Sequence, residues 1–550
     1  MPIERFLRMF DFATVVISAV TLALQTATIG GIAFLAVVLR PCGPESQEIQ
    51  DGCRRWIGRL GAGLAAMLAL YVGLEVYVLA ASTGISLGEA LGANLVYAAG
   101  ISVAGALSIV YLSSEKRRRG GAAMLPSAGL ILLGAMLTSH AMARMEHRLP
   151  LAALTLLHET ATAVWIGGLP FLLAVLFRGK SPGFLRETTQ RFSRVALVSV
   201  CILVLAGLGL AVVYVGSWSG LYETAYGAML SSKLVLFGFL LTLGALNFFT
   251  VRRSPGNDFE GMRRVRSCCE AEIGIGLAVL IAAASLTSQP PSADENADRL
   301  TASEIAVRLS PEWPDFTTPT VAQETQIKIE LPAGISPGDP GYREALEAAR
   351  RERWRRQDEV DAVWSNFNHH WAGLIVAAIG LAALLARTRR VPLARNWPLL
   401  FLCLAVFLFF RDDPEAWPVG HIRTFWESWL NPEDLQHRAF VVLVILFGIF
   451  EWRVQTGRMV RQWPALVFPS VCLLGGAALL THSHSFGDVK EELFAGLSHL
   501  PIAVLAVLAG WSRWLELRLP SEDRAKSVLS WIWPVCFFLI GTVLLNYREV

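Results

Sequence analysis

Charged residues are scarce in this sequence. Only 17% of its 550 residues are Asp, Glu, Lys or Arg, whereas a soluble chain carries about 25%. This deficit, together with 54% hydrophobic residues, argues against a water-soluble enzyme. The net charge of +3 is too small to predict nucleic-acid binding, and 17 Trp and 28 Phe are too many for a disordered chain. We therefore predict an integral membrane protein.

Motifs for several kinds of chemistry are also missing. There is no Gly-rich Walker loop, which argues against an ATP-driven pump. Gly-x-Ser-x-Gly and His-Glu-x-x-His are absent, so no hydrolase motif is present. The eight cysteines include no Cys-x-x-Cys pair, and their spacing predicts neither a disulfide framework nor a zinc site. These absences lead us to predict that the protein is not an enzyme.

Charge-poor runs long enough to cross a bilayer as helices occur about fourteen times. They lie near 12–38, 57–80, 90–112, 122–145, 150–177, 195–216, 229–251, 271–288, 370–386, 396–410, 438–452, 463–481, 497–516 and 528–545. The first run is too long for the core of a signal peptide and lacks a cleavage site, so we expect it to remain a helix. The pattern predicts an all-α polytopic membrane protein in the lipid bilayer.

Basic residues indicate the orientation of these spans. Lysine and arginine cluster in every second loop, for example at 116–119, 252–266 and 387–395, whereas 81–89 and 217–228 contain none. Because cytoplasmic loops are enriched in Lys and Arg, we predict that the basic loops are cytoplasmic. Both termini then lie outside the cytoplasm.

One long polar segment, 289–368, interrupts the apolar runs and falls on the outside by the same rule. Residues Thr325 to Leu331 alternate as a half-exposed strand does, and 341–366 reads as an amphipathic helix that continues into the next span. So short a segment supports only a small core. We expect a small α+β extracytoplasmic insert.

All ten histidines fall on the outer half once this topology is drawn. Imidazole binds copper, zinc, nickel and haem iron, and thioether favours Cu(I). His140 has two methionines beside it, and a His-x-His pair suits a loop that wraps a metal at a helix end. A solvated or core role remains open for any single histidine. The candidate metal ligands are His140, Met142, Met145, His158, Glu159, His369, His370, His437, His482, His484 and His499.

Polar groups within spans are costly in lipid and often functional. Glu159 follows His158 directly, and a carboxylate there could bind metal, orient the imidazole or relay a proton. Lys233 also lies in the outer part of its span, although its side chain could instead extend to the interface. Trp165-Ile-Gly-Gly168 is typical of close helix packing at the two glycines.

An ordered set of motifs over about 150–291 resembles the copper resistance protein D (CopD) family of bacterial inner-membrane proteins. The set comprises Leu157-His-Glu-Thr-Ala-Thr-Ala-Val-Trp-Ile-Gly-Gly168, Arg191-Phe-Ser-Arg194, Gly207, Tyr226-Gly-Ala-Met-Leu-Ser-Ser-Lys233, Gly244-Ala-Leu-Asn247, Glu272 and Leu286-Thr-Ser-Gln-Pro-Pro291. Motif positions carried over from the family are His158, Trp165, Gly167, Gly168, Tyr226, Lys233 and Glu272. They do not reach the C-terminal half.

The resemblance implies copper handling at the bacterial cytoplasmic membrane, with copper as the bound ion and a periplasmic CopC-like copper carrier as a partner. It suggests a long form of the family with an additional C-terminal membrane region. The predicted domains are 1–149 with spans 1–4, 150–291 with the CopD-like spans 5–8, 292–368 as the extracytoplasmic segment and 369–550 with spans 9–14.

Three functions remain open on these residues. The first is a copper permease, or an accessory to one, that captures copper with His and Met on the periplasmic side. The second is a haem b-binding electron-transfer protein, which needs two histidines at matching depth on neighbouring helices. The third is a copper-delivery factor for oxidase assembly. All three functions require neutral imidazole. We therefore expect metal affinity to decrease when the pH is lower than about 6.

Overall fold

The computed structural model shows an all-α membrane protein. It describes residues 3–39, 47–114, 121–253, 259–295, 299–319, 342–411, 417–418, 424–430, 432–459, 463–481 and 489–548. No strand occurs in these ranges, and the predicted strand at 325–331 lies outside them. The predicted α+β character of the insert therefore stays a prediction.

The first part of the chain forms eleven α-helices within the described ranges. They are α1 (Ile3–Ala33), α2 (Gln47–Thr83), α3 (Leu87–Ala90), α4 (Asn94–Ser113), α5 (Leu125–Leu137), α6 (His140–Ala143), α7 (Arg148–Trp165), α8 (Leu169–Arg178), α9 (Pro182–Val215), α10 (Ala225–Arg253) and α11 (Phe259–Thr287). A π-helical turn, Phe34–Leu39, extends α1. Pro170 near the start of α8 is compatible with a new helix there, because the first turn needs no amide donor.

The remaining helices begin after residue 300. They are α12 (Ala302–Leu309), α13 (Tyr342–Thr388), α14 (Leu400–Arg411), α15 (Phe425–Leu430), α16 (Pro432–Gln455), α17 (Val467–Leu479), α18 (Val489–Arg518) and α19 (Arg524–Leu545). The 47-residue helix α13 confirms that the amphipathic helix predicted at 341–366 runs without a break into the following span.

Eleven helices in the described ranges are long and apolar enough to cross a membrane. Two more predicted spans correspond to the shorter apolar helices Gly121–Leu137 and Trp463–Leu479, and the run at 438–452 lies within α16. Each of the fourteen apolar runs thus coincides with a helix, while the count of fourteen crossings and their orientation remain predictions.

The chain divides into two compact units. Unit 1 comprises Met1–Arg299, Leu473–Ser485 and Trp514–Lys526. Unit 2 comprises Leu300–Cys472, Phe486–Arg513 and Ser527–Val550.

Glycines allow close helix contact within unit 1. A Cβ atom at Gly167 would lie 1.9 Å from the carbonyl oxygen of Thr26, and one at Gly30 would lie 2.3 Å from that of Ala163. Helices α1 and α7 therefore approach backbone to backbone, as small residues permit in membranes. This contact confirms the packing role predicted for the first glycine of the Trp-Ile-Gly-Gly motif and fixes α7, the helix that carries His158.

Unit 2 has an aromatic core. Phe468 and Trp533 are almost fully buried, with ring centres 5.2 Å apart, and Trp397 packs against both rings. Aromatic rings of this size bury enough area to dominate packing. They bring α17, α19 and the turn before α14 together.

Candidate metal centre

His158 lies in a space that a glycine provides. Helix α7 presents the imidazole to α9, where a Cβ atom at Gly207 would come within 3.3 Å of ring atom Cε1 and 3.4 Å of Nδ1. Any larger side chain at 207 would push against the ring. The ring lies within hydrogen-bonding range of the Leu203 backbone, while its buried Nδ1 atom has no partner with hydrogen-bond geometry among the described residues. Such an orphaned nitrogen is uncommon, because buried polar atoms are usually paired.

Two further ionisable residues belong to this part of the spans, Lys233 on α10 and Glu159, the neighbour of His158 in sequence. The ammonium group of Lys233 on α10 lies within electrostatic range of the His158 ring. Glu159 is half-buried, and its Oε2 atom is buried without a hydrogen-bond partner among the described residues. Adjacent helical positions diverge by about 100°, so His158 and Glu159 leave α7 in different directions. We call His158, Glu159 and Lys233 the His158 cluster.

The predicted ligands around His140 are separated. The Nε2 atom of His140 donates to the carbonyl oxygen of Thr287 at 2.9 Å. Met142 packs into an apolar cluster with Leu151, whereas Met145 is 96% exposed. The spacing of the two methionines predicts a shared helix face, but α6 ends at Ala143, so Met145 lies beyond the helix. Of the three predicted ligands, only His140 and Met142 lie in α6.

An ion pair that sequence reasoning did not find anchors the same segment. Arg144 and Asp294 approach to 2.6 Å, and the guanidinium lies over the Tyr214 ring at 5.2 Å from its centre. The partners are 150 positions apart, and no sequence spacing signals their contact. The pair ties the α6 region to the segment after α11.

The other family-motif residues described here, Trp165, Tyr226 and Glu272, are buried within unit 1. Trp165 is buried and packs edge-on against Phe237 at 6.1 Å. Tyr226 is also buried. Asn247 on α10 donates through Nδ2 to Oε1 of Glu272 on α11, and Glu272 is 2% exposed. A hydrogen bond of this kind satisfies a carboxyl group that lipid or apolar protein would otherwise penalise.

In unit 2, two of the predicted histidines come together. The ring centres of His369 on α13 and His499 on α18 are 6.0 Å apart, with an angle of 87° between the planes. Tyr547 stacks on His369 at 3.7 Å and meets His499 edge-on at 5.6 Å. We call His369 and His499 the imidazole pair. Sequence alone placed both histidines near the outer ends of separate spans without predicting the contact or the tyrosine.

His370 has a different environment from its neighbour. Its Nδ1 atom lies 2.9 Å from the carbonyl oxygen of Asp315, and its Nε2 atom lies 3.0 Å from that of Tyr547. Both nitrogens are thus directed at backbone acceptors. His370 therefore links α13 to two other parts of unit 2, the segment that contains Asp315 and the C-terminal segment that contains Tyr547.

The segment that contacts His370 is itself held by a local turn. The backbone amide and the hydroxyl of Thr317 both donate to Oδ1 of Asp315 at 2.8 Å. The hydrogen bond from the amide, followed by that from the hydroxyl, lowers the pKa of the Asp315 carboxyl below its ordinary value. Phe316 then packs edge-on against Trp371 at 5.2 Å.

The remaining predicted ligands do not join these groups in the described structure. His437 is half-buried in the first turns of α16. His482 and His484 lie outside the described residues. Across the described ranges, no set of three or more His, Cys, Asp or Glu side chains is arranged to hold a metal ion.

Part of the chain is similar to known proteins. Residues 186–286 match the family model for copper resistance protein D. The chain is 36% identical over 163 residues to the copper transport protein CutJ of Bacillus subtilis (strain 168), a match that covers 29% of either chain. It is 30% identical over 139 residues to copper resistance protein D of Pseudomonas syringae pv. tomato, covering 23% of this chain and 44% of that protein. The matches thus span less than half of each relative. No solved structure matches.

The matched segment begins after the His158 motif and contains Gly207, Lys233, Asn247 and Glu272, all of which the structure places in α9, α10 and α11. The resemblance predicted from the ordered motifs is therefore confirmed. Residues 186–286 of this membrane protein match the copper resistance protein D family, and the two relatives named for copper are similar to part of the chain.

Proposed function

We propose that the protein binds copper on the periplasmic side of the bacterial cytoplasmic membrane and carries it across. The observation that supports this most directly is the buried Nδ1 atom of His158, which lacks a hydrogen-bond partner among the described residues. Neutral imidazole is a copper ligand through either of its ring nitrogens. The family match and the named function of CutJ, a copper transport protein, point to the same cargo.

The neighbouring groups have distinct roles in this proposal. The Glu159 carboxylate lowers the cost of bringing a cation into the span, because its Oε2 atom is buried without a partner among the described residues. The Lys233 ammonium has the opposite effect on the His158 ring and would favour release of the ion. His140 and Met142, near the outer end, would receive copper first, delivered by a periplasmic carrier of the CopC type.

The orientation follows from the basic loops and is part of the proposal. Arg252 and Arg253 end α10, the helix that carries Lys233 near its other end. With that basic end in the cytoplasm, the His158 cluster lies in the outer half of the membrane, and both chain termini are periplasmic. Tagging the termini with a reporter that is active only in the periplasm tests this orientation.

Copper retention by the full-length protein purified in detergent tests the site. The protein is incubated with Cu(I) under anaerobic conditions and desalted, and its copper content is measured. We expect His158→Ala to lose about one copper per chain. His147→Ala is the matched control, because His147 is exposed in the residue just before α7. Copper content that is equal in wild type and His158→Ala would contradict the site, and a Soret band with iron would favour haem.

Transport requires a second measurement. Proteoliposomes that contain wild-type protein are expected to accumulate copper faster than those that contain His158→Ala, with His147→Ala equal to wild type. Retention in detergent without accumulation in vesicles would indicate a delivery protein rather than a permease.

A further inference from the structure

We infer that α15 is an interfacial anchor, a short helix whose aromatic face inserts into the headgroup region of the lipid bilayer. The partner is the phospholipid surface at the membrane boundary where α14 ends and α16 begins. The inference concerns a region outside the matched segment, 186–286. It does not depend on copper binding, so its failure would leave the proposed function standing.

Three aromatic side chains are exposed on α15. Phe425 and Trp429 are each 40% exposed, and Trp426 is 72% exposed. Because successive residues turn by about 100° around a helix, these three side chains leave α15 within an arc of about 100°. Large apolar side chains grouped on a surface mark a contact with a membrane or with a partner.

The carboxylate of Glu427 leaves the opposite side of α15, about 150° from the middle of the aromatic arc. Its Oε2 atom accepts hydrogen bonds from the backbone amide of Thr424 at 2.8 Å and from the hydroxyl of Thr424 at 2.9 Å. The bond from the amide, followed by that from the hydroxyl, lowers the pKa of Glu427 below its ordinary value. The carboxyl is therefore ionised at neutral pH. A helix with one aromatic face and an ionised opposite side lies in the interface and does not enter the hydrocarbon.

Hydrogen bonds hold α15 at the end of an apolar helical stretch. Arg438, in the second turn of α16, is 5% exposed. It donates from Nη1 to the carbonyl oxygen of Phe409 and from Nη2 to that of Trp417, both at 2.5 Å. Phe409 lies near the end of Pro392–Arg411, a stretch long and apolar enough to cross a membrane. The amide of Trp417 donates to Oγ of Ser428 in α15 at 3.1 Å, so these bonds fix α15 at the level where the stretch ends.

The exposed aromatic surface is continuous with an exposed apolar side of α14. Val406 and Phe410 lie one turn apart on α14 and are 57% and 43% exposed. Ring contacts with centre separations of 5.2, 6.3, 5.0 and 5.0 Å then connect, in this order, Phe410, Phe409, Trp417, Phe425 and Trp426. Exposed apolar side chains on a spanning helix contact lipid. The lipid surface that covers Phe410 therefore extends to α15.

Tryptophan is suited to this position. Its ring buries a large apolar area, whereas its Nε1–H group needs an acceptor, which the phosphate and ester oxygens of phospholipids provide. Both tryptophans of α15 are thus better placed at the interface than in water or in the acyl chains. Docking of a protein on the same rings is the alternative outcome of the test.

Site-specific photocrosslinking of the full-length protein tests the inference. The photoreactive residue p-benzoylphenylalanine is introduced in place of Trp426, and the protein is reconstituted in vesicles of phosphatidylethanolamine and phosphatidylglycerol and irradiated. Mass spectrometry of the digested protein measures the fraction that carries phospholipid. We expect this fraction to be at least several-fold higher than when the same residue replaces Glu427, the matched control on the other side of α15. Attachment is expected at the glycerol region or the first acyl carbons.

Replacement of Val406 shows that lipid adducts form on this part of unit 2. Equal labelling at positions 426 and 427, or labelling at 406 without any at 426, would overturn the inference. Irradiation in native membranes that joins position 426 to another protein instead of phospholipid would assign this face to protein docking. Attachment near the ends of the acyl chains would also contradict an interfacial position. If the variant at position 426 is not monodisperse, position 429 on the same face takes its place with the same expected result.

Discussion

The imidazole of His158 lies against Gly207, so closely that a Cβ atom at position 207 would be 3.3 Å from ring atom Cε1. The two residues are on different helices, α7 and α9, and the ring occupies the space that the missing side chain leaves. Few real Cβ contacts are this tight. The position of the candidate ligand therefore depends on the absence of a side chain 49 positions later in the chain.

Replacing Gly207 should displace the ring. We expect Gly207→Val to lower Cu(I) retention at the His158 cluster at least several-fold, because the added methyl groups need the volume that the imidazole occupies. Copper content after desalting is the measurement. Gly238→Val, at a position with no neighbouring atom within 4 Å, is the control. Wild-type retention by Gly207→Val would mean that the contact does not position the ligand.

Removing the charge of Lys233 should strengthen copper binding. An ammonium group within electrostatic range of the His158 ring repels a bound cation. Relief of that repulsion corresponds to about 1–2 kcal/mol, or roughly a tenfold gain in affinity. Chelator competition should show this gain for Lys233→Met but not for Lys233→Arg, which keeps the charge. Equal affinity for both variants would exclude an electrostatic role.

The hydrogen bond between Asn247 and Glu272 should stabilise the packing of α10 against α11. Asn247→Leu leaves a buried carboxyl without its donor, which costs about 1–3 kcal/mol. We expect a lower thermal unfolding temperature in detergent for this variant. The double variant Asn247→Leu with Glu272→Met should recover most of the loss, because neither polar partner remains. If the double variant instead unfolds at a still lower temperature than Asn247→Leu, the two residues stabilise the protein independently.

Close contact between α1 and α7 should not tolerate a side chain at Gly167. A Cβ atom there would overlap the carbonyl oxygen of Thr26 at 1.9 Å. Gly167→Leu is expected to abolish the folded, monodisperse protein in size-exclusion chromatography. Gly129→Leu, in α5 with nothing within 4 Å, should behave as wild type. A monodisperse Gly167→Leu protein would contradict the packing described for this pair of helices.

The turn at Asp315 should make a small, pH-dependent contribution to stability. Its pKa is lowered in the folded protein by the hydrogen bonds from Thr317. A lowered folded-state pKa stabilises the fold above the ordinary pKa of Asp, and the effect disappears as the pH falls through the folded value. The difference in Tm between wild type and Asp315→Asn should therefore narrow as the pH falls from 7 towards about 3. A constant difference would rule out titration of this carboxyl.

Local sequence patterns were sufficient for much of the architecture. Apolar runs predicted every long helix near its observed place, and the continuous helix α13 followed from its periodicity, because the polarity of neighbouring residues along one helix is a local property. The motif order from Leu157 to Pro291 predicted the family that the comparisons confirm.

Which ligands meet was decided only by tertiary structure. The sequence gives no signal that His369 is near His499 and Tyr547, or that Met142 is half-buried against an apolar cluster while Met145 is exposed. Such contacts depend on how helices far apart in sequence cross, and that is set by glycines such as Gly541 that permit backbone approach. Side-chain chemistry thus follows from the sequence, whereas the grouping of side chains into a site follows from packing between distant helices.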